Sequence, residues 1–282
     1  MRQFLKRLSI IIFTLCGASV LFSSVGNTYV LQGPHILELM VEKLGDAKRL
    51  SVSQRLIILD GSLTQNPTEI REAVKYLYPD AFRSDISSDT TRRIYLFNRG
   101  EVLTITDDKA SVGVETWYNR YKDLFLYHSR VLLANHLTLS GVDVSVSSLG
   151  RFEEKISYVV GAEYPAENRS QVWIEKATFR PIRWILKDIP DYPDLGTVEF
   201  RYKNWKKFNT VAYPMDIEFF QDGVLVRKLH VETVTVDPEF SEDLFDMEAL
   251  QSRYLLIEKE EKLPETLDEV KKTIEEFKRR FE

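Results

Sequence analysis

Apolar and polar residues alternate along much of this chain. Val198, Phe200 and Tyr202 alternate with Glu199, Arg201 and Lys203, and Met215, Ile217 and Phe219 alternate with Asp216 and Glu218. A period of two is that of a strand with one face buried and the other wet. The same reading predicts strands over Ser51–Ile58, Arg93–Phe97, Glu101–Thr106, Lys155–Val160, Gln171–Glu175, Pro181–Lys187 and Val224–Val236. Thr68–Tyr78 has a composition that permits a helix, but its spacing (Val74, Tyr76, Tyr78) and the following Pro79 favour a strand. Asp60-Gly61, Asn98-Arg99-Gly100 and Asp222-Gly223 are turn sequences that accept positive φ. Within Val224–Val236 the apolar phase slips from Leu229 and Val231 to Val234 and Val236, which predicts a β-bulge between them.

Three segments have helical spacing instead. Leu37, Met40, Val41 and Leu44 share one face of Pro34–Lys48, with Gly33-Pro34 as a start and Gly45 as a stop. Thr116–Leu139 contains neither Gly nor Pro and reads as one helix. Trp117, Tyr121, Leu124, Phe125, Val131, Leu132, Leu137 and Leu139 make it apolar on more than one side, so it is expected to be buried or to cover something apolar. In Pro264–Glu282, Leu267, Val270, Ile274, Phe277 and Phe281 form a narrow seam, and Thr266 with Glu269 has the spacing of a capping box. That seam either packs back on the domain or engages a protein partner.

About ten twisted strands cannot stay flat. The fold class expected is α+β, mainly antiparallel β: a curved, unclosed β-barrel with two or three helices over its concave face, plus a C-terminal amphipathic helix. The concave face would present Leu56, Ile58, Phe200, Tyr202, Ile217 and Phe219, capped by Trp117, Tyr121, Leu124 and Phe125. These residues either fill a core or line a cavity for an acyl chain. A cavity for acyl chains needs apolar area more than placed polar groups, and burying ten methylenes contributes about 8 kcal/mol before the costs of binding.

Composition narrows the class. The chain has 282 residues, 44% hydrophobic and 29% charged, enough for a sizeable core and unlike a disordered chain. A net charge of −5 argues against a nucleic-acid partner. The basic stretch Arg201, Lys203, Lys206 and Lys207, interleaved with Tyr202, Trp205 and Phe208, reads as a solvated strand face or a contact for anionic headgroups. Arg2, Lys6 and Arg7 precede an apolar run over Leu8–Phe22 and then small residues, the pattern of a secretory signal peptide. The expected organisation is a signal peptide over 1–26, a lipid-binding half-barrel over 27–250 and a charged helical extension over 251–282. Export to the periplasm follows, with an uncleaved N-terminal anchor as the other option. Cys16 is the single cysteine; Leu15 stands where a lipidation signal wants a small residue, so neither disulfide nor thiolate chemistry is expected of the mature chain.

Enzyme chemistry finds little support. His35, His128, His136 and His230 are scattered, and His128 and His136 sit too far apart on one helix to grip one metal. No nucleophile elbow, phosphate loop or dinucleotide fingerprint occurs. Asp188, Asp191 and Asp194 offer oxygen ligands of the calcium type or form a solvated loop. No catalytic residue, metal or cofactor is expected.

The order of segments resembles the periplasmic lipoprotein-carrier superfamily, the LolA/LolB-like outer-membrane lipoprotein-sorting proteins. The resemblance spans Gly33 to Met247. It rests on the early helix, on Val52–Gly61 (VSQRLIILDG) and Tyr78–Ile86 (YPDAFRSDI), and on Val172–Leu186 (VWIEKATFRPIRWIL). Val198–Asp237 and the closing Asp243–Met247 (DLFDM) complete it. It implies an unclosed β-barrel with a helical lid, lipid or lipoprotein acyl chains as ligand, and an inner-membrane transporter or outer-membrane acceptor as partner. Cousins in that superfamily imply a second role, a periplasmic sensory or scaffold module that binds a protein partner.

Overall fold

Two meanders meet at β1 (Arg49–Ile58). On one side follow β2 (Thr68–Leu77), β3 (Ala81–Ser87), β4 (Arg92–Asn98), β5 (Glu101–Thr106) and β6 (Lys109–Gly113), each antiparallel to the last. On the other side lies β13 (Val224–Val236). Beyond it, in reverse chain order, come β12 (Val211–Gln221), β11 (Val198–Phe208), β10 (Pro181–Leu186), β9 (Gln171–Glu175), β8 (Lys155–Val160) and β7 (Ser147–Phe152). A two-residue β14 (Leu255–Leu256) adds parallel to β6, so the sheet extends past residue 250. This computed structural model describes residues 30–59, 68–88, 92–113, 115–187 and 196–256. The expected signal peptide with Cys16, the expected turn at Asp60-Gly61, residues 188–194 and the expected helical seam over 264–282 lie outside the described residues.

Among the described residues the sheet has fourteen strands rather than about ten. β3, β6, β7 and β14 are the additions. Two of the turns that flank them lack the usual marks: Asp107-Asp108 joins β5 to β6 with φ of 47° and 64°, and Glu153-Glu154 joins β7 to β8 with φ of 44° and 65°. Positive φ at consecutive non-glycine residues is a sparse conformation, so neither pair announces a hairpin. The expected slip in β13 is present, since Ser53 pairs Thr233 while Gln54 pairs Val231, leaving Glu232 as the extra residue. β7 and β14 are the opposite edges, and the sheet does not close on itself.

α1 (Gly33–Leu44) carries Pro34 in its first turn and buries Ile36, Leu37, Met40 and Leu44. It stops short of the expected Lys48 because Gly45 turns out at φ 90°, its N–H donating to the Val41 carbonyl at 3.3 Å. The single helix expected over Thr116–Leu139 is instead three pieces: a 3₁₀ turn (Trp117–Lys122), α2 (Asp123–Leu126) and α3 (Arg130–Leu139). Tyr127 leaves helical geometry at φ −90°, ψ 88°, and the extended Ser129 caps α3 with its Oγ accepting from Leu132 N at 3.5 Å. α1 packs against α3, β8 and β12.

Across β1, β2 and β13, one tyrosine proves the curl. Tyr121 has its ring centroid 6.4 Å from Phe82 on β3 and 5.4 Å from Phe219 on β12. At about 4.8 Å per strand, a flat sheet would hold those two strands about 19 Å apart. The other face is also covered at both ends. Phe245, Met247 and Leu250, from a 3₁₀ turn (Glu242–Phe245) and α4 (Met247–Gln251), seal Ile94, Leu96, Leu103 and Ile105. Val159, Trp173 and Ile182 form a smaller outer core with Phe152. This double coverage explains why Ile94–Phe97 is a continuous buried run rather than an alternating one.

Candidate ligand-binding face

Eight of the ten residues expected to form the concave face and its cap are deeply buried: Trp117, Tyr121, Leu124, Phe125, Phe200, Tyr202, Ile217 and Phe219. The rings interlock. Phe125 meets Tyr202 edge to face at 5.2 Å, Phe200 meets Phe219 edge to face at 5.3 Å, and Trp184 meets Phe200 tilted at 5.6 Å. Trp117 carries the Arg120 guanidinium 4.3 Å above its ring. The cap is fastened by hydrogen bonds as well, Tyr202 Oη donating to the Tyr121 carbonyl at 3.1 Å and Tyr118 Oη to Gln221 Oε1 at 2.5 Å. In this arrangement the floor beneath α2 is filled by aromatic side chains.

Leu56 and Ile58 differ. They share the concave face, since Leu56 pairs Leu229, which pairs Ile217, which pairs Tyr202. Both are only partly buried, as are Ile70 and Ile86 on the neighbouring β2 and β3. An apolar strip therefore runs from the packed floor outward to the end of β1.

The concave face also carries charge that alternation does not suggest. Lys122 is fully buried, its Nζ donating to Glu115 Oε1 and, at 2.9 Å, to Asp123 Oδ1. Tyr95 Oη donates to the same Glu115 oxygen at 3.0 Å, and His136 Nε2 lies 2.9 Å from Asp123 Oδ2. Glu115, Asp123 and His136 present atoms within 4.8 Å of one another, the spacing of a cation site. The Lys122 ammonium is already bonded to both carboxylates and supplies the positive charge there. Burial works to raise the Asp123 carboxyl, but Lys122 and His136 outweigh it and hold it low.

A second polar group lies farther along β1 and β2. Gln54 Nε2 donates to Glu72 Oε2 at 2.8 Å, and Ser84 Oγ donates to Glu72 Oε1. Burial raises the Glu72 carboxyl despite those bonds and despite Arg93 and Arg227 nearby. The residue types offered a signal: Gln54 and Glu72 sit in the apolar phase of their strands, where a polar residue calls for a partner.

The remaining candidates are dispersed. His35 faces Glu38, His230 accompanies Asp216, His128 stacks on Tyr78 at 3.9 Å, and His136 belongs to the Asp123 group. Arg201 and Lys203 point to the outer face, Arg201 bonded to Glu199 and Lys203 to Glu218 and Glu153, so these two members of the basic stretch are compensated. Surface clefts occur away from the strip: one of 500 Å³ lined by Tyr78, Asp80, Asn98, Arg99, Asp243 and Asp246 among others, and one of 180 Å³ beside Phe152, Tyr202 and Lys203.

No protein-family model matches the chain, and no curated protein sequence matches it. Solved structures do. A LolA superfamily protein from Nitrosomonas europaea superposes with a TM-score of 0.54 at 12% identity, covering 78% of this chain and 100% of that one. The chain has the LolA fold. A structure described as an outer membrane lipoprotein-sorting protein domain from Vibrio parahaemolyticus gives 0.53 at 12% identity, over 77% of this chain and 97% of that one. A DUF1329 family protein from Desulfovibrio piger gives 0.52 at 12% identity, over 78% and 98%. At such identity the likeness concerns the LolA fold, an unclosed antiparallel sheet with helices on its concave side, and not the residues of the face. No helix among the described residues is long and apolar enough to cross a membrane.

Proposed function

We propose that this protein is an exported, periplasmic carrier that takes up the acyl chains of a lipid or lipoprotein on the concave face of its LolA fold. The observation that carries the reading is the partly exposed strip of Leu56, Ile58 and Ile70, continuous through the β1–β13–β12 ladder with the aromatic floor. An acyl chain laid on the strip gains about 0.8 kcal/mol per methylene removed from water. Deeper entry requires the segment Trp117–Leu139 to lift, and that segment is itself broken at Tyr127–Ser129. In this role the protein receives its cargo from an inner-membrane transporter and passes it to an outer-membrane acceptor, without catalysis.

The test is direct. The purified full chain is titrated with a fluorescent fatty acid and a triacylated peptide, and its organic extract is analysed by mass spectrometry. Saturable binding that weakens in Leu56→Glu and Ile58→Glu supports the reading. Absence of both binding and co-extracted lipid overturns it.

One observation favours a second reading, a module that binds a protein partner. α3 holds Val131, Leu132 and Leu139 outward at 58%, 41% and 79% exposure. A lipid-free protein that retains a partner in pull-down, and loses it in Leu132→Glu/Leu139→Glu, would decide for it.

A further inference from the structure

Arg93 on β4 and Arg227 on β13 both face the concave side. Arg93 stands in the row of Ile86, and Arg227 pairs Ile58 on one flank and Phe219 on the other. Among the described residues neither guanidinium has a carboxylate oxygen within 4.0 Å. Arg227 lies 4.0 Å over the Tyr118 ring, and its Nε has no hydrogen-bond partner. The carboxylate whose field reaches both is Glu72, and its two oxygens are already engaged by Gln54 and Ser84. Burial disfavours the charge on each arginine, and the two repel one another. Two cations thus share one distant and already occupied anion.

Cations drawn into a protein are ordinarily paired, because an unpaired one forfeits its hydration without recompense. A guanidinium offers a planar fork of donors that fits a carboxylate or a phosphate. These two are partly exposed and therefore reachable. On the same face Ile86 stands beside Arg93, Ile58 and Phe219 stand beside Arg227, and Leu56 with its partner Ile70 continues the apolar strip from Ile58. A pair of unneutralised guanidinium groups beside an open apolar strip matches an amphiphile with an anionic end.

We propose that Arg93 and Arg227 receive the anionic headgroup, carboxylate or phosphate, of an amphiphile whose chain lies along Leu56, Ile58, Ile70 and Ile86. This rests on the carrier reading and adds the chemical class of the cargo and its orientation, head at the arginines and tail toward the floor. Glu72 tempers the site: it keeps the two arginines from repelling one another outright while leaving a net positive charge for the ligand.

The experiment uses the full chain loaded with the neutral fluorophore N-phenyl-1-naphthylamine, displaced by dodecanoate or by dodecanol at pH 8. Dodecanoate should displace at least about tenfold more effectively, the lower range for a charge-assisted hydrogen bond. Arg93→Gln/Arg227→Gln should abolish that preference while leaving dodecanol unchanged. In the unaltered protein the preference should shrink as salt rises, a readout that needs no variant. Equal displacement by acid and alcohol overturns the headgroup assignment and leaves the carrier reading standing. If the fluorophore binds but neither amphiphile displaces it, both fall. Calorimetric binding of inorganic phosphate that vanishes in the double variant, with no acid preference, overturns the amphiphile and reassigns the arginines to a free anion.

Discussion

The hydroxyls of Tyr76 and Tyr213 lie 2.9 Å apart, although β1 and β13 run between their strands. A flat sheet would hold those strands about 14 Å apart. Both rings are fully buried, with centroids 6.2 Å apart and tilted by 73°. Burial raises both phenols, which stay protonated across the working pH range. One hydroxyl donates and the other accepts, and the pair ties the two meanders together beneath α2.

Removing either hydroxyl strands its partner. Tyr76→Phe and Tyr213→Phe should each cost about 1–3 kcal/mol, while the double variant should cost much less than their sum. Urea unfolding of all four proteins gives the coupling energy. Simple additivity would show that the hydroxyls do not depend on each other.

Asp123 reports on the charged group under the cap. Its carboxyl is held low, so its contribution to stability is present above the unfolded value near 3.9 and is lost as pH falls through the folded value. Asp123→Asn should cost about 3–5 kcal/mol at pH 7, since it leaves Lys122 and His136 without that partner. The cost should shrink as pH falls below about 4, where the carboxyl of the unfolded chain takes up its proton while the folded one is still ionised. Denaturation midpoints at pH 7 and pH 3 check this, and an unchanged penalty would contradict it.

His128 behaves in the opposite chemical sense but with the same direction in pH. Burial pushes its imidazole down to about 4. The unfolded residue titrates near 6.5, so stability held above that pH is lost as pH falls toward 4. His128→Phe preserves the stack on Tyr78 and removes the proton uptake. Relative to the unaltered protein, the variant should gain stability between pH 7.5 and 5. An NMR titration of His128 showing a midpoint near 6.5 would rule out the burial invoked here.

Gly45 ends α1 with φ of 90°, and a β-carbon there would sit 1.8 Å from the Thr210 carbonyl oxygen. Gly45→Ala therefore meets both backbone strain and a collision with backbone that has little room to retreat. The loss should exceed the roughly 1 kcal/mol typical of an unfavourable φ alone. Thermal melting measures it, and a neutral effect would mean that the β11–β12 turn yields freely.

Much of the architecture is legible in one dimension because its causes are local. Alternation set the faces of β1, β11 and β12, the Asp222-Gly223 and Arg99-Gly100 pairs marked their hairpins with positive φ, and the slip in β13 showed as a change of apolar phase. Gly45 marked the end of α1. The apolar run over Thr116–Leu139 concealed the break between α2 and α3, where Ser129 caps the second piece. Asp107-Asp108 and Glu153-Glu154 gave no such notice, since their conformations are imposed by the strands they join.

Spacing along the chain assigned Leu56, Phe200, Tyr202, Ile217 and Phe219 to one side of the sheet, because side-chain direction in a strand depends only on parity. It could not say which of them would be sealed and which left partly open, nor that Lys122, Glu115 and Tyr95 would meet, nor that Arg93 and Arg227 would share the single carboxylate of Glu72. Those outcomes depend on how far the sheet curls and on which strands stand opposite one another, and curvature gathers residues far apart in the chain whose charges are then settled only by the groups they meet.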